Sequence, residues 1–170
     1  MFLEKTKMEE LDAVSDIVLD ARARIGKLGI DQWQERYPTK EIIEEDIQLG
    51  RSYVIKDGDG SICGVFAVID DGEPVYDHIF GGAWRTEGDS YLAVHRVAVS
   101  PQKLRRGVAG TIMKSAEQMA VQMGRLSVRI DTHEGNIPMR TMLERNGYVH
   151  CGSVLLQSGE HRVAYEKCVR

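Results

Sequence analysis

The residues whose types and spacing best suit chemistry lie between Tyr91 and Gly147. The run Tyr91-Leu-Ala-Val-His-Arg-Val-Ala-Val99 passes through Pro101 into Leu104-Arg-Arg-Gly-Val-Ala-Gly110, where an amphipathic helix begins. A helix start leaves its first backbone N–H groups without intrahelical acceptors, and the helix dipole adds partial positive charge there. Arg105 and Arg106 bring cations to the same turn, while Gly107, Ala109 and Gly110 keep side chains small beside the main chain of Val108. Such a turn can hold a phosphate by backbone groups alone. The competing reading is a tight turn whose glycines serve geometry and whose arginines are solvated.

The elements that must position this turn are legible from periodicity. Val108, Ile112, Ala116, Met119 and Met123 recur at helical spacing and Gly124 is a natural stop, so a helix is predicted from about Val108. Leu126 to Asp131 alternates apolar and polar residues as a strand does. Strand, helix and strand in that order give a right-handed crossover joining two parallel strands, with the anion turn above their carboxyl ends. Beyond Thr132-His-Glu-Gly-Asn136, a short helix from Ile137 to Asn146 has Pro138 in its first turn, and Gly147-Tyr148 opens another strand.

On these residues the chain resembles the GNAT acyltransferases. The family's Arg/Gln-x-x-Gly-x-Gly/Ala loop is similar to Leu104-Arg-Arg-Gly-Val-Ala109, and its Asn-x-x-Ala, Glu-Lys and Gly-Phe sequence to Asn136, Met139, Glu144-Arg145 and Gly147-Tyr148. The likeness is good over residues 51 to 150 and weaker elsewhere. It implies an N-acetyltransferase that moves an acetyl group from acetyl-CoA to a primary amine by direct attack in a ternary complex. The backbone of Val97, Ala98 and Val99 would pair with the pantetheine arm, and the amides of Arg105, Arg106, Gly107, Val108, Ala109 and Gly110 would hold the pyrophosphate. A strand N–H near Val97 would polarise the thioester carbonyl, with Asn136 and Met139 on the cofactor side of the last helix. Two positions depart from the pattern. Leu104 replaces the usual Arg or Gln, and Leu143 replaces the tyrosine that can protonate the departing thiolate. A CoA-binding sensor or assembly protein without turnover is therefore the second reading.

An amine with a pKa of about 10 must lose a proton before it attacks. Asp131, His95 and His133 are the candidates. Asp131 is preferred because it lies five residues before Asn136, close to where some GNAT members carry an acidic base. For each the alternative is structural: a satisfied strand histidine at 95, a turn or capping carboxylate at 131, an exposed loop residue at 133. Trp33 and Tyr37, in Gly29-Ile-Asp-Gln-Trp-Gln-Glu-Arg-Tyr-Pro38, could line an acceptor pocket or plug the groove between two helices. Tyr76 and Trp84, in a Gly-rich loop, carry the same ambiguity.

The remaining chain supplies a first strand at Phe2 to Lys5, a capping box at Thr6-Lys-Met-Glu9, and a helix buried through Leu11, Val14, Val18, Ala21 and Ile25. Thr39 caps a second helix to about Leu49, and Asp57-Gly-Asp-Gly60 joins strands Ser52 to Lys56 and Ile62 to Ile69. Val149 to Gln157 and Arg162 to Val169 close the sheet. The expected fold is α/β (α+β): one domain over 1–170, with a mixed, mostly antiparallel sheet, a central parallel pair and flanking helices. With 170 residues, 42% of them hydrophobic, the chain can bury one sizeable core.

A net charge of −4 argues against a nucleic-acid surface, and no apolar run suggests a membrane span or secretory signal, so a cytoplasmic location is expected. Three widely spaced cysteines fit reduced thiols, and scattered histidines without metal-ligand spacing argue against a metal. The expected partner is a small-molecule or protein amine, and a homodimer is allowed. The acidic groups Glu41, Glu44, Glu45, Asp46 and Asp70, Asp71, Glu73 read as a solvated helix face and a hairpin turn rather than as a site for a cationic substrate.

Overall fold

The structure, a computed structural model, describes residues 1–169. The described residues form seven strands: β1 Phe2–Lys5, β2 Ser52–Lys56, β3 Ile62–Ile69, β4 Tyr91–Val99, β5 Ser127–Thr132, β6 Val149–Leu155 and β7 His161–Cys168. Four α-helices accompany them: α1 Leu11–Gly26, α2 Lys40–Gln48, α3 Val108–Gln122 and α4 Ile137–Arg145. The strands form one sheet in the order β1-β2-β3-β4-β5-β7-β6. The β4–β5 pair is parallel, with Tyr91↔Ser127 to Ala93↔Arg129, and the β1–β2, β2–β3, β5–β7 and β6–β7 pairs are antiparallel. This is the expected α/β fold with its parallel pair.

The chain divides into two compact units: Met1–Val68 with Arg96–Ser115, and Ile69–His95 with the chain from Ala116 onward. In the first, Val14, Ile17, Val18 and Ala21 of α1 pack with Ile43 of α2, Val54, Val65 and Ala98. Gly64 of β3 lets α3 come close. A Cβ there would lie 2.8 Å from Val108 Cγ1 and 3.1 Å from the Ala98 carbonyl. In the second unit, Tyr76, Tyr91, Ala93, Val154 and Ala164 form a core that Trp84 and Ile79 help cover.

That second core rests on a buried ion pair. Glu166 and Arg129 are 0% and 2% exposed, and Arg129 Nε donates to Glu166 Oε1 at 3.0 Å. Ser127 and Thr86 hydroxyls also donate to Glu166, and the Arg129 guanidinium lies between the Trp84 and Tyr91 rings, 4.4 and 4.0 Å from their centroids. A charge so buried is tolerable only when its lone pairs and protons are satisfied. The result pins the loop before β4.

Three expectations need correction. The expected box at Thr6-Lys-Met-Glu9 is shifted by one residue: a 3-10 turn covers Met8–Glu10, and Glu10 accepts the Lys7 N–H at 2.9 Å. On α3, Met113 and Ala120 join Val108, Ile112 and Ala116 in the core, whereas Met123 lies past the helix end and is 43% exposed. The acidic groups are not uniformly solvated. Asp46 is buried, and Glu73 belongs to no hairpin turn but precedes a 3-10 turn at Pro74–Asp77.

Candidate active site

In the first unit, β4 ends in a turn that presents the start of α3. Ser100 N–H is held by the Cys63 carbonyl at 2.8 Å, and Lys103 pairs with Asp57 at 2.6 Å. Beyond them the backbone is left-handed at Arg105 (φ +60) and Gly107 (φ +76). Gly107 then offers its carbonyl to Thr111 N–H at 3.0 Å, which makes it the residue that starts the helix. The amides of Val108, Ala109 and Gly110 fall in the first turn, where no intrahelical acceptor exists. Arg105 and Arg106 are exposed, and nothing lies within 4 Å of where a Gly107 Cβ would stand. Open space, free amides and two cations suit a phosphate.

In the second unit, four titratable side chains converge. Tyr76, 2% exposed, donates its hydroxyl to Asp131 Oδ2 at 2.8 Å. Its ring stacks on His95 with centroids 6.1 Å apart. His95 Nε2 is 3.0 Å from Glu73 Oε2 outside hydrogen-bond geometry, a contact that is an ion pair only with the imidazole protonated. Tyr91 fixes Glu73 by accepting its N–H at 2.9 Å. Burial pushes the Asp131 carboxyl above its ordinary range, and Glu73 adds to that rise. His95, the Tyr76 hydroxyl and Arg162 oppose it without cancelling it. A carboxylate raised in this way is a better proton acceptor than one in water.

The family model described as acetyltransferase (GNAT) family matches residues 22–148. The chain belongs to the GNAT acetyltransferase family. A GNAT-family acetyltransferase from Streptococcus agalactiae is 35% identical, with TM-score 0.84 over 98% of this chain and 94% of that one. Two more distant structures share the fold. A ribosomal-protein-alanine N-acetyltransferase from Brucella melitensis is 16% identical, with TM-score 0.70 over 99% of both chains. A PaiA N-acetyltransferase from Thermoplasma acidophilum in complex with coenzyme A is 14% identical, with TM-score 0.71 over 98% of both. No curated protein matches the chain.

Within this GNAT chain, Asp131 and His95 fall in one cluster with Tyr76. His133 Nδ1 accepts the Gly135 N–H at 2.9 Å and shapes the turn before α4. Asn136 Oδ1 accepts the Met139 N–H at 3.3 Å and caps α4, so these two expected cofactor contacts bond to each other. Of the β4 residues, Ala98 is buried, Val97 is half-buried, and the Val99 carbonyl accepts from Arg24 at 2.7 Å. The Tyr76 ring is buried and its hydroxyl is bonded to Asp131. Trp84 is packed too, with Nε1 on the Tyr76 carbonyl at 2.9 Å. Trp33 packs against the first core, while Tyr37 is 41% exposed. Leu143, at the tyrosine position, is 0% exposed.

Sequence reasoning named Glu73 only as part of an acidic hairpin turn, because nothing local in that loop shows what holds it. Arg96 was not singled out, since its left-handed backbone (φ +55) is invisible in the sequence.

Proposed function

We propose that this chain is an acetyl-CoA-dependent N-acetyltransferase acting on a primary amine of a small molecule or protein. The observation that carries the reading is the helix start at Gly107: a left-handed turn that opens toward solvent, with first-turn amides and two exposed arginines beside it. Amides of Arg105 to Gly110 hold the pyrophosphate, and the backbone of Val97 to Val99 binds the pantetheine arm. The acceptor amine loses a proton to Asp131, with His95 and His133 as the competing bases. Its nitrogen then forms a bond to the thioester carbon, the C–S bond breaks, and the thiolate leaves as CoA and takes up a proton. An N–H near Val97 stabilises the negative charge on the carbonyl oxygen. With leucine at 143, that last proton comes from water.

The same reading treats residues 1–170 as one catalytic domain, and the free thiols of Cys63, Cys151 and Cys168 fit a reducing, cytosolic compartment. No helix among the described residues is long and apolar enough to cross a membrane. One observation favours a second reading, a CoA-binding sensor: a fully buried leucine stands at the general-acid position.

Asp131→Asn separates the two. It keeps the size and the Tyr76 bond but removes the proton acceptor. We expect the acetylation rate to fall by about 10² to 10⁴ with acetyl-CoA affinity nearly unchanged, and the loss to shrink at high pH, where more acceptor is already neutral. Wild-type rates across pH would remove Asp131 from the mechanism, and His95→Gln and His133→Gln test its competitors.

A further inference from the structure

Arg96 is a left-handed residue inside a strand. At φ +55 its Cβ is crowded, a conformation that a non-glycine residue adopts only when its surroundings hold it there. They do. Arg96 Nε donates to Asp46 Oδ2 at 2.6 Å and Nη2 to Asp46 Oδ1 at 2.8 Å, a two-pronged pair with α2. Nη1 donates to the Tyr37 hydroxyl at 3.0 Å. The Arg96 and Asp46 side chains are only 11% and 9% exposed, so the pair is poorly screened. All three guanidinium nitrogens are engaged, in a planar fork that lysine cannot reproduce.

A left-handed residue in a strand turns the next peptide plane out of the ladder and leaves part of the backbone unpaired, as in a β-bulge. The next amide here is that of Val97. Tyr37 belongs to the loop between α1 and α2, where Trp33 (φ +65) and Arg36 (φ +64) are also left-handed. One guanidinium thus ties the left-handed residue of β4 to the left-handed loop.

We propose that Arg96, clamped by Asp46 and Tyr37, is a positioning residue for acetyl-CoA: it holds β4 in the kink that aims the Val97 amide and those after it at the acyl and pantetheine groups. It acts through its backbone and touches no substrate. The proposal rests on the acetyl-CoA reading above.

Glycine provides the discriminating test, because it adopts positive φ without a Cβ penalty. Acetyl-CoA affinity is measured by calorimetry on variants whose folding is checked by circular dichroism. Arg96→Ala loses the clamp and disfavours the kink, so affinity falls about tenfold or more, whereas Arg96→Gly loses only the clamp and stays within about threefold of wild type. Asp46→Asn, equal in size, weakens binding about tenfold when Arg96 is present and has no further effect in Arg96→Gly. It carries the test if Arg96→Ala does not fold. Equal losses for alanine and glycine, or unchanged affinity in a folded Asp46→Asn variant, overturn the proposal alone. Failure of the wild type to bind acetyl-CoA overturns the acetyl-CoA reading and this proposal with it.

Discussion

Replacing Tyr76 with phenylalanine removes one oxygen from a side chain that is 2% exposed, and with it the 2.8 Å bond to Asp131. A hydrogen bond to a charged group contributes about 1.5 to 3 kcal/mol, and 1.36 kcal/mol corresponds to one pH unit. Losing that donor destabilises the ionised carboxylate, so the Asp131 pKa in Tyr76→Phe should rise further, on top of the rise that burial already causes. Among its other neighbours, His95 and Arg162 pull the value down and Glu73 pushes it up, and all three remain in the variant. The stability consequence follows from linkage. The fold favours protonated Asp131, so its contribution is fully present below the unfolded pKa and is lost as pH rises through the folded one. Tyr76→Phe moves that loss to higher pH and leaves the ionised form at neutral pH without its donor. Carbon-detected NMR titration of the Asp131 carboxyl reads the shift without any acceptor. An unchanged or lowered Asp131 pKa would refute the assigned hydrogen bond and its electrostatic role.

Leu143→Ala should cost about 2 to 5 kcal/mol, because the side chain is 0% exposed, while turnover per folded molecule is largely kept. Thermal melts with rate measurements check this, and a normal melting temperature with abolished turnover would give Leu143 a direct role. Glu166→Gln should destabilise by about 3 to 5 kcal/mol in urea unfolding, since it leaves Arg129 buried without its counter-charge. Burial pushes the Glu166 carboxyl up, but bonds from Ser127, Thr86, Arg129 and the Arg85 amide more than offset this and hold it below its ordinary range. Its stabilisation is therefore present above the unfolded pKa and fades as pH falls through the folded one, and the variant should lose that part of the acid sensitivity.

Where hydrophobic period and turn chemistry agreed, the sequence was readable. The start of α3 at Val108, the Asp57-Gly-Asp-Gly60 hairpin and Pro138 at the start of α4 all appear in the structure. The turn at Arg105–Gly107 and the helix start after it were readable for the same reason, because glycine placement and a helix start are local. The side-chain cluster around Asp131 was only half legible. Asp131 could be nominated from its distance to Asn136, but its partner Tyr76 lies 55 residues away in an irregular loop. Asp46 carried a usable signal that charge clustering masked: it follows Ile43 by three residues and precedes Ile47, on the apolar side of α2. Glu73 showed only as part of an acidic run and Arg96 not at all, because one is placed by Tyr91 and the other by a backbone angle.

Acetyl transfer itself is tested most directly by following thiol release from acetyl-CoA across a panel of primary amines, for the wild type and Gly107→Glu. Glutamate at 107 adds negative charge where the proposed pyrophosphate would sit and strains a left-handed backbone (φ +76). The wild type should release thiol in the presence of an accepted amine, and folded Gly107→Glu should lose that activity together with acetyl-CoA affinity. A wild type that binds acetyl-CoA yet releases no thiol with any amine, or a folded Gly107→Glu variant that retains full affinity, would contradict the account.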